Sequence, residues 1–121
     1  MFEGTLITES LRTGSTLDGL NLVVRKMTRY APGGTTEDQP AIWTAIDFEL
    51  ADRDADALAG TLAAALDEPG WYANFQSPEM AFVVFRDKVF RYPRGDSAGR
   101  AAAQAHGRTV GVPEPQLDWT V

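Results

Sequence analysis

The sequence predicts an α+β domain: a six-stranded, mostly antiparallel sheet in the order βββαβββα, with two helices packed on one face. Three observations carry this expectation. Residues 41 to 50 alternate cleanly, with Ile42, Ile46, Phe48 and Leu50 on one side and Trp43, Ala45, Asp47 and Glu49 on the other, the period of a half-buried strand. Two segments carry helix start and stop chemistry, acids at the front and Pro-Gly or Gly at the end. The remaining apolar runs are short and separated by turn residues, which favours local antiparallel pairing.

Taken in order, Phe2 to Leu11 sets Leu6 against Ile7 with threonines between them and ends in the turn-like Arg12-Thr13-Gly14-Ser15, giving an expected edge strand. Leu20 to Tyr30 carries Leu20, Leu22 and Val24 on one side, then Val23 and Met27 on the other, a switch that a midway bulge explains. Ala31 to Pro40 holds two prolines and a Gly-Gly pair without periodicity and is expected to be a mobile loop, too short to divide the chain into domains.

The first helix opens at Asp52, Asp54 and Asp56, where acids complement the positive end of the helix dipole, and stops near Asp67 before Pro69-Gly70. Trp71 to Gln76, Ala81 to Arg86 and Val89 to Tyr92 follow as strands, the last two joined through Asp87-Lys88. Asp96 or Ser97 caps a second helix whose expected inner stripe is Ala98, Ala101, Ala102 and Ala105, small enough for close approach to a sheet. Leu117 and Trp119 in the tail are expected to dock as apolar anchors. The repeated βββα order raises a duplication, although the two halves share no residue-level identity.

The chain has 121 residues, no cysteine, one histidine and a net charge of −6. That length fits a single domain, 1–121. Without cysteine there is no disulfide framework, thiolate nucleophile or thiolate-bound metal. Asp52-Arg53-Asp54-Ala55-Asp56 opens like a calcium loop, but Ala57 and Ala63 stand where glycine and a bidentate glutamate are required. No metal and no cofactor are therefore expected. The acidic balance argues against nucleic acid as partner. No basic segment followed by an apolar run opens the chain, and no apolar stretch approaches the ~20 residues of a membrane helix, so the expectation is a cytoplasmic protein with no membrane partner.

Six of the eleven basic residues fall between Arg86 and Arg108, while twelve of the seventeen acids precede Trp71. Arg91, Tyr92, Arg94, Asp96 and Arg100 are therefore the candidate ligand-binding set: a loop entering a helix offers free N–H groups beside arginines, suited to phosphate or carboxylate. The competing reading is that Asp96 caps the helix and occupies the anion position itself. Trp43, Tyr72 and Asn74 form the second candidate, an interface on an uncovered sheet side or a pocket over it, because aromatic anchors dominate contact energetics; the competing reading is that they are core or plain surface positions. His106, as the lone histidine near a helix end, reads as structural or solvated.

The stretches WYANF, FVVFRDKVFRYPRGD and VGVPEPQLDW resemble small uncharacterised bacterial proteins over the last fifty or so residues. The resemblance implies a compact α+β domain and carries no activity or site residue. Two functions are expected. The first is a non-enzymatic accessory or binding domain, self-associating as a homodimer, that holds a protein partner or a small anionic ligand on the sheet or on the Arg91 to Arg100 surface. The alternative is a cofactor-independent isomerase, cyclase or hydrolase in which Asp47 or Asp96 works with Tyr92, Arg91 or His106.

Overall fold

The computed structural model describes residues 1–121, which form β1 (Phe2–Ile7), β2 (Val23–Tyr30), β3 (Trp43–Leu50), α1 (Ala55–Ala65), β4 (Ala73–Gln76), β5 (Met80–Phe85), β6 (Lys88–Pro93) and α2 (Ser97–Thr109). The strands make one sheet in the order β2-β3-β1-β4-β5-β6, antiparallel at every pairing. The α+β class and the βββαβββα order hold. The two halves are wired differently, however. Outward from the centre the first runs β1, β3, β2 and the second runs β4, β5, β6, so the common element order does not extend to a common topology. No helix is long and apolar enough to cross a membrane.

The expected placement of both helices on one face is corrected by β5. Successive strand residues point to opposite faces, and in β5 Phe82 and Val84 join the cluster under α1 while Ala81, Val83 and Phe85 join the one containing Ala103 of α2. All five are buried on one side or the other. The helices thus sandwich the β4–β6 half of the sheet from opposite sides. The signal was present in the unbroken run Ala81-Phe82-Val83-Val84-Phe85, because a strand covered on both faces needs no polar positions.

Two strand assignments also change. Phe2 to Leu11, expected at an edge, supplies the central β1, paired with β3 on one side and β4 on the other. Gly4 permits this crowding: a Cβ there would lie 2.7 Å from the Cβ of Phe75 on β4. The edge is β2, exposed along its whole length, and its register shifts between Val24 and Lys26 at the anticipated bulge. Its three cations are paired inward, Arg25 with Glu49 at 2.7 Å, Lys26 with Asp47 at 3.6 Å and Arg29 with Glu9 at 3.7 Å.

Under α1 lies a dry core of Phe2, Phe48, Phe75 and Phe82 with Leu58, Leu62 and Leu66. Phe75 and Phe82 stack at 4.8 Å with rings nearly parallel, and Phe2 meets both edge-on, an arrangement that adds to simple area burial. Leu17, Leu20 and Leu22 from the segment before β2 close this core at its rim.

On the other side α2 approaches closely, but not through the expected stripe. Ala98, Ala101, Ala102 and Ala105 are exposed, and the inner positions are Gly99, Ala103 and Gly107. These recur every four residues, one helical row. A Cβ at Gly99 would lie 2.6 Å from Tyr92, and one at Gly107 would lie 2.8 Å from Leu117. This row faces inward because Tyr92 and the tail leave no room for a methyl group at Gly99 or Gly107. Asp96 caps the helix, accepting from the amides of Ala98 at 3.1 Å and Gly99 at 3.3 Å. Leu117 and Trp119 are buried as expected.

Candidate functional site

α2 covers only the β5–β6 end of its face. Over β1 and β3 the same face is left to side chains from the register pairs Glu3 with Glu49, Thr5 with Asp47 and Ile7 with Ala45, continued by Gln76 and Asn74 of β4. At the far end of this open strip two irregular segments rise over the sheet: the loop after β2, and the tail after α2. Between them lies a cavity of about 610 Å³.

Its floor is Thr5, Ile7 and Asn74, one wall is Tyr30, Trp43 and Trp71, and the other is Tyr72 with Gln116 and Asp118. Trp43 and Trp71 are largely buried, with ring centres 5.2 Å apart. Trp43 Nε1 donates to the carbonyl of Pro40 at 2.9 Å, which fixes its ring. Tyr30 packs edge-on against Trp43 at 6.5 Å and stays 38% exposed. The wall is thus rigid behind and open in front.

The expected mobility of residues 31 to 40 gives way to an anchored loop, because its one buried polar side chain, Gln39, is fully engaged. Its Nε2 donates to the carbonyl of Gly70 at 3.0 Å, its Oε1 accepts from the amide of Thr36 at 3.2 Å, and its amide group pairs reciprocally with that of Gln116 at 2.9 and 3.1 Å. Gln116 also donates to the carbonyl of Gly34 at 3.3 Å. Gly70 has φ +89°, a left-handed conformation open to glycine, which lets the chain turn tightly beneath this pair. Buried amides satisfied in this way are costly to disturb. One side-chain pair therefore ties loop, turn and tail into the rim of the cavity.

Trp43, Tyr72 and Asn74, picked out in the sequence as one candidate surface, do converge here. Tyr72 does so with its hydroxyl already committed: it donates to the carbonyl of Gln116, and its ring packs on Trp119 at 4.8 Å. Burial, with a smaller contribution from the nearby Asp118 charge, pushes its ionisation far above the usual tyrosine range. Tyr72 is a neutral wall, not an acid or base near neutral pH. Sequence reasoning missed Tyr30, Trp71, Gln116 and Asp118 as partners, because they come from three segments far apart in the chain.

The arginine set does not assemble. Arg91 and Tyr92 are neighbours in a strand and point to opposite faces, Arg91 lying 5.8 Å over the ring of Phe82 and Tyr92 lying under α2. The Tyr92 hydroxyl donates to the carbonyl of Val121 at 2.9 Å and accepts from Trp119 Nε1 at 3.0 Å. Burial, its largest influence, raises its ionisation as well. Arg94 donates to the carbonyl of Ser77 at 3.3 Å and Arg100 to that of Thr120 at 3.0 Å, while Asp96 occupies the helix start. These groups hold the chain to itself.

The acid-base candidates are equally scattered. Asp47 lies on the open strip, accepting from Thr5 and paired with Lys26. Asp96 and His106 are ten residues apart along α2, about 15 Å at 1.5 Å per residue. His106 packs its ring against Phe85 at 4.8 Å and Phe90 at 5.5 Å, and its Nε2 is buried without a partner. No three histidine, aspartate or glutamate side chains gather as a metal cluster. The chain matches no known family, no curated protein and no solved structure.

Proposed function

We propose that the protein is a non-enzymatic binding domain whose site is the open half of the α2-side sheet face, ending in the cavity between Tyr30, Trp43 and Tyr72. One observation carries this reading: the cavity rim is built by a half-buried Gln39–Gln116 amide pair that joins two otherwise irregular segments above an aromatic wall. Its volume falls in the range of small-molecule sites, and its aromatic side chains stand beside polar groups such as Thr5, Asn74 and Gln116 that can fix a ligand's orientation. The sheet face is favoured over the Arg91 to Arg100 surface because Arg94 and Arg100 each donate to a carbonyl of the chain, Asp96 takes the helix start, and Arg91 points to the other face of the sheet from Tyr92. Catalysis is disfavoured because the groups able to move protons lie apart, and the one tyrosine hydroxyl bonded in the cavity wall is held neutral.

Trp43 and Trp71 make the test direct. Titration of metabolite pools of differing charge into the full chain, followed by tryptophan fluorescence and thermal shift, is expected to give a saturable change that a bulky substitution on the floor, Thr5→Tyr, removes. Saturation that persists unchanged in Thr5→Tyr would place binding elsewhere and overturn this reading. Light scattering on the same sample reads self-association; a dimer would place the exposed Val24 and Met27 of the β2 edge at the contact.

A further inference from the structure

The cavity is lined by fourteen residues, and none is lysine, arginine or histidine. Its one charged group is Asp118, which is exposed and belongs to none of the seven ion pairs of the chain. The strip leading into it carries Glu3, Asp47 and Glu49, with Glu3 directly opposite Glu49 across the β1–β3 pair. Like charges in that position repel. Only Arg25 and Lys26 answer these carboxylates, and each is already paired, with Glu49 and with Asp47. The site as a whole is therefore negative, and Glu3 and Asp118 have no cation of their own.

Aromatic rings reinforce that polarity. The face of an aromatic ring is the negative end of its quadrupole and attracts ammonium and guanidinium groups within about 6 Å. Tyr30 is partly open to solvent, braced against Trp43, and lines the same cavity as Asp118. An anion entering here would meet carboxylates and ring faces and no donor cation. A bare metal ion would find one carboxylate where at least three ligands are needed. An organic cation with an apolar stem would satisfy both the charge and the aromatic wall.

Building on the binding reading above, we infer that the cavity takes an organic cation, a primary ammonium or guanidinium group on a short apolar stem, with Asp118 as counter-charge and Tyr30 as the ring it packs on. Four probes test this on the full chain by tryptophan fluorescence: pentylamine, the neutral 1-pentanol, the anionic pentanoate, and a blocked Gly-Lys-Gly tripeptide. Pentylamine is expected to bind at least about five-fold more tightly than pentanol, and pentanoate not at all. Asp118→Asn is expected to weaken the amine about five-fold and leave pentanol unchanged, and raised salt should weaken only the amine. Tyr30→Ala should weaken the amine by a further few-fold. Asp118 is exposed, so Asp118→Asn reports on binding rather than folding, and thermal unfolding of Tyr30→Ala separates its loss of packing on Trp43 from its effect on the amine.

The tripeptide separates the sources of the cation. Binding by pentylamine alone supports a free amine, whereas binding by the tripeptide as well supports a basic side chain of a protein partner. Equal binding of pentanol and pentylamine, or an Asp118→Asn variant that binds the amine normally, would overturn the cation inference while leaving the cavity as the site. Silence from all four probes, with Thr5→Tyr indistinguishable from the unaltered chain, would overturn the binding reading itself.

Discussion

The two faces of the sheet solve the same problem in different ways. Beneath α1 the face is covered by one helix and a rim of leucines, and its interior is a cluster of four phenylalanines, one pair stacked and the others edge-on or tilted. On the α2 side the helix covers the β5–β6 end of the sheet, the strip over β1 and β3 stays open, and its far end is roofed by a loop and a tail that hold each other through amide hydrogen bonds. Apolar burial is non-directional and tolerates continuous covering, whereas a roof made of irregular backbone has to satisfy its own donors and acceptors. The second solution leaves an aromatic-walled cavity over the sheet, whereas the hollow beside α1, about 600 Å³ between Arg12 and Asp56, has no aromatic side chain in its lining. The face with less hydrophobic cover is therefore the one we propose for binding.

Four substitutions break or sharpen this contrast. Phe75→Ala removes the ring at the centre of the α1-side stack and is expected to cost about 3–5 kcal/mol, read by urea denaturation with an unchanged slope. A cost under about 1 kcal/mol would mean that this face is not the rigid one. On the α2 side, Gly99→Ala places a methyl group 2.6 Å from Tyr92, and overpacking of this kind should cost about 1–3 kcal/mol. The exposed Ala101→Gly serves as its control, reporting only the ~1 kcal/mol of helix propensity.

Gln39→Ala is expected to lower stability by about 1–3 kcal/mol, since Gln116 and the Gly70 carbonyl lose a buried partner. Its distinguishing readout is hydrogen exchange. Protection should fall at Gln39 and Gln116, whose amides bond within their own segments, and stay unchanged in β5. Uniform loss would show that loop and tail are not a separate unit.

Glu9 offers the smallest and most specific probe. Burial alone would raise its ionisation, but the amide of Thr44 at 2.6 Å, its own amide, and the hydroxyls of Thr8 and Thr44 outweigh it and leave the carboxyl below its ordinary value of 4.5. A carboxyl lowered by folding contributes stability that is complete above the unfolded value and is lost as pH falls through the folded one. Glu9→Gln is therefore expected to reduce stability modestly at neutral pH and to flatten the decline below about pH 4.5. An acid limb identical in both proteins would assign that decline to other groups.

Much of this was legible in the chain. Strand and helix positions followed from periodicity and from stop signals such as Pro69-Gly70, and the bulge in β2 followed from a switch of apolar parity at Val23 and Val24. Trp43, Tyr72 and Asn74 were recognisable as a surface because each sits opposite an apolar neighbour in its strand. The choice of Gly99, Ala103 and Gly107 over Ala98, Ala101, Ala102 and Ala105 was not legible, since both rows are small and only the bulk of Tyr92 and Leu117 selects between them. Asp118 and Gln116 gave no signal either, because a polar residue in a proline-rich tail looks the same whether it is solvated or faces a cavity.

Local chemistry determined the elements of this protein: side-chain alternation, helix capping and turn residues act within a few positions of one another, and one sequence displays them all. Strand order, the assignment of each helix to a face, and the meeting of Tyr30, Trp43, Tyr72 and Asp118 were decided only by the folded chain. Those features depend on which distant segments exclude water and one another, and that competition among apolar faces and backbone partners is settled over the whole sheet at once.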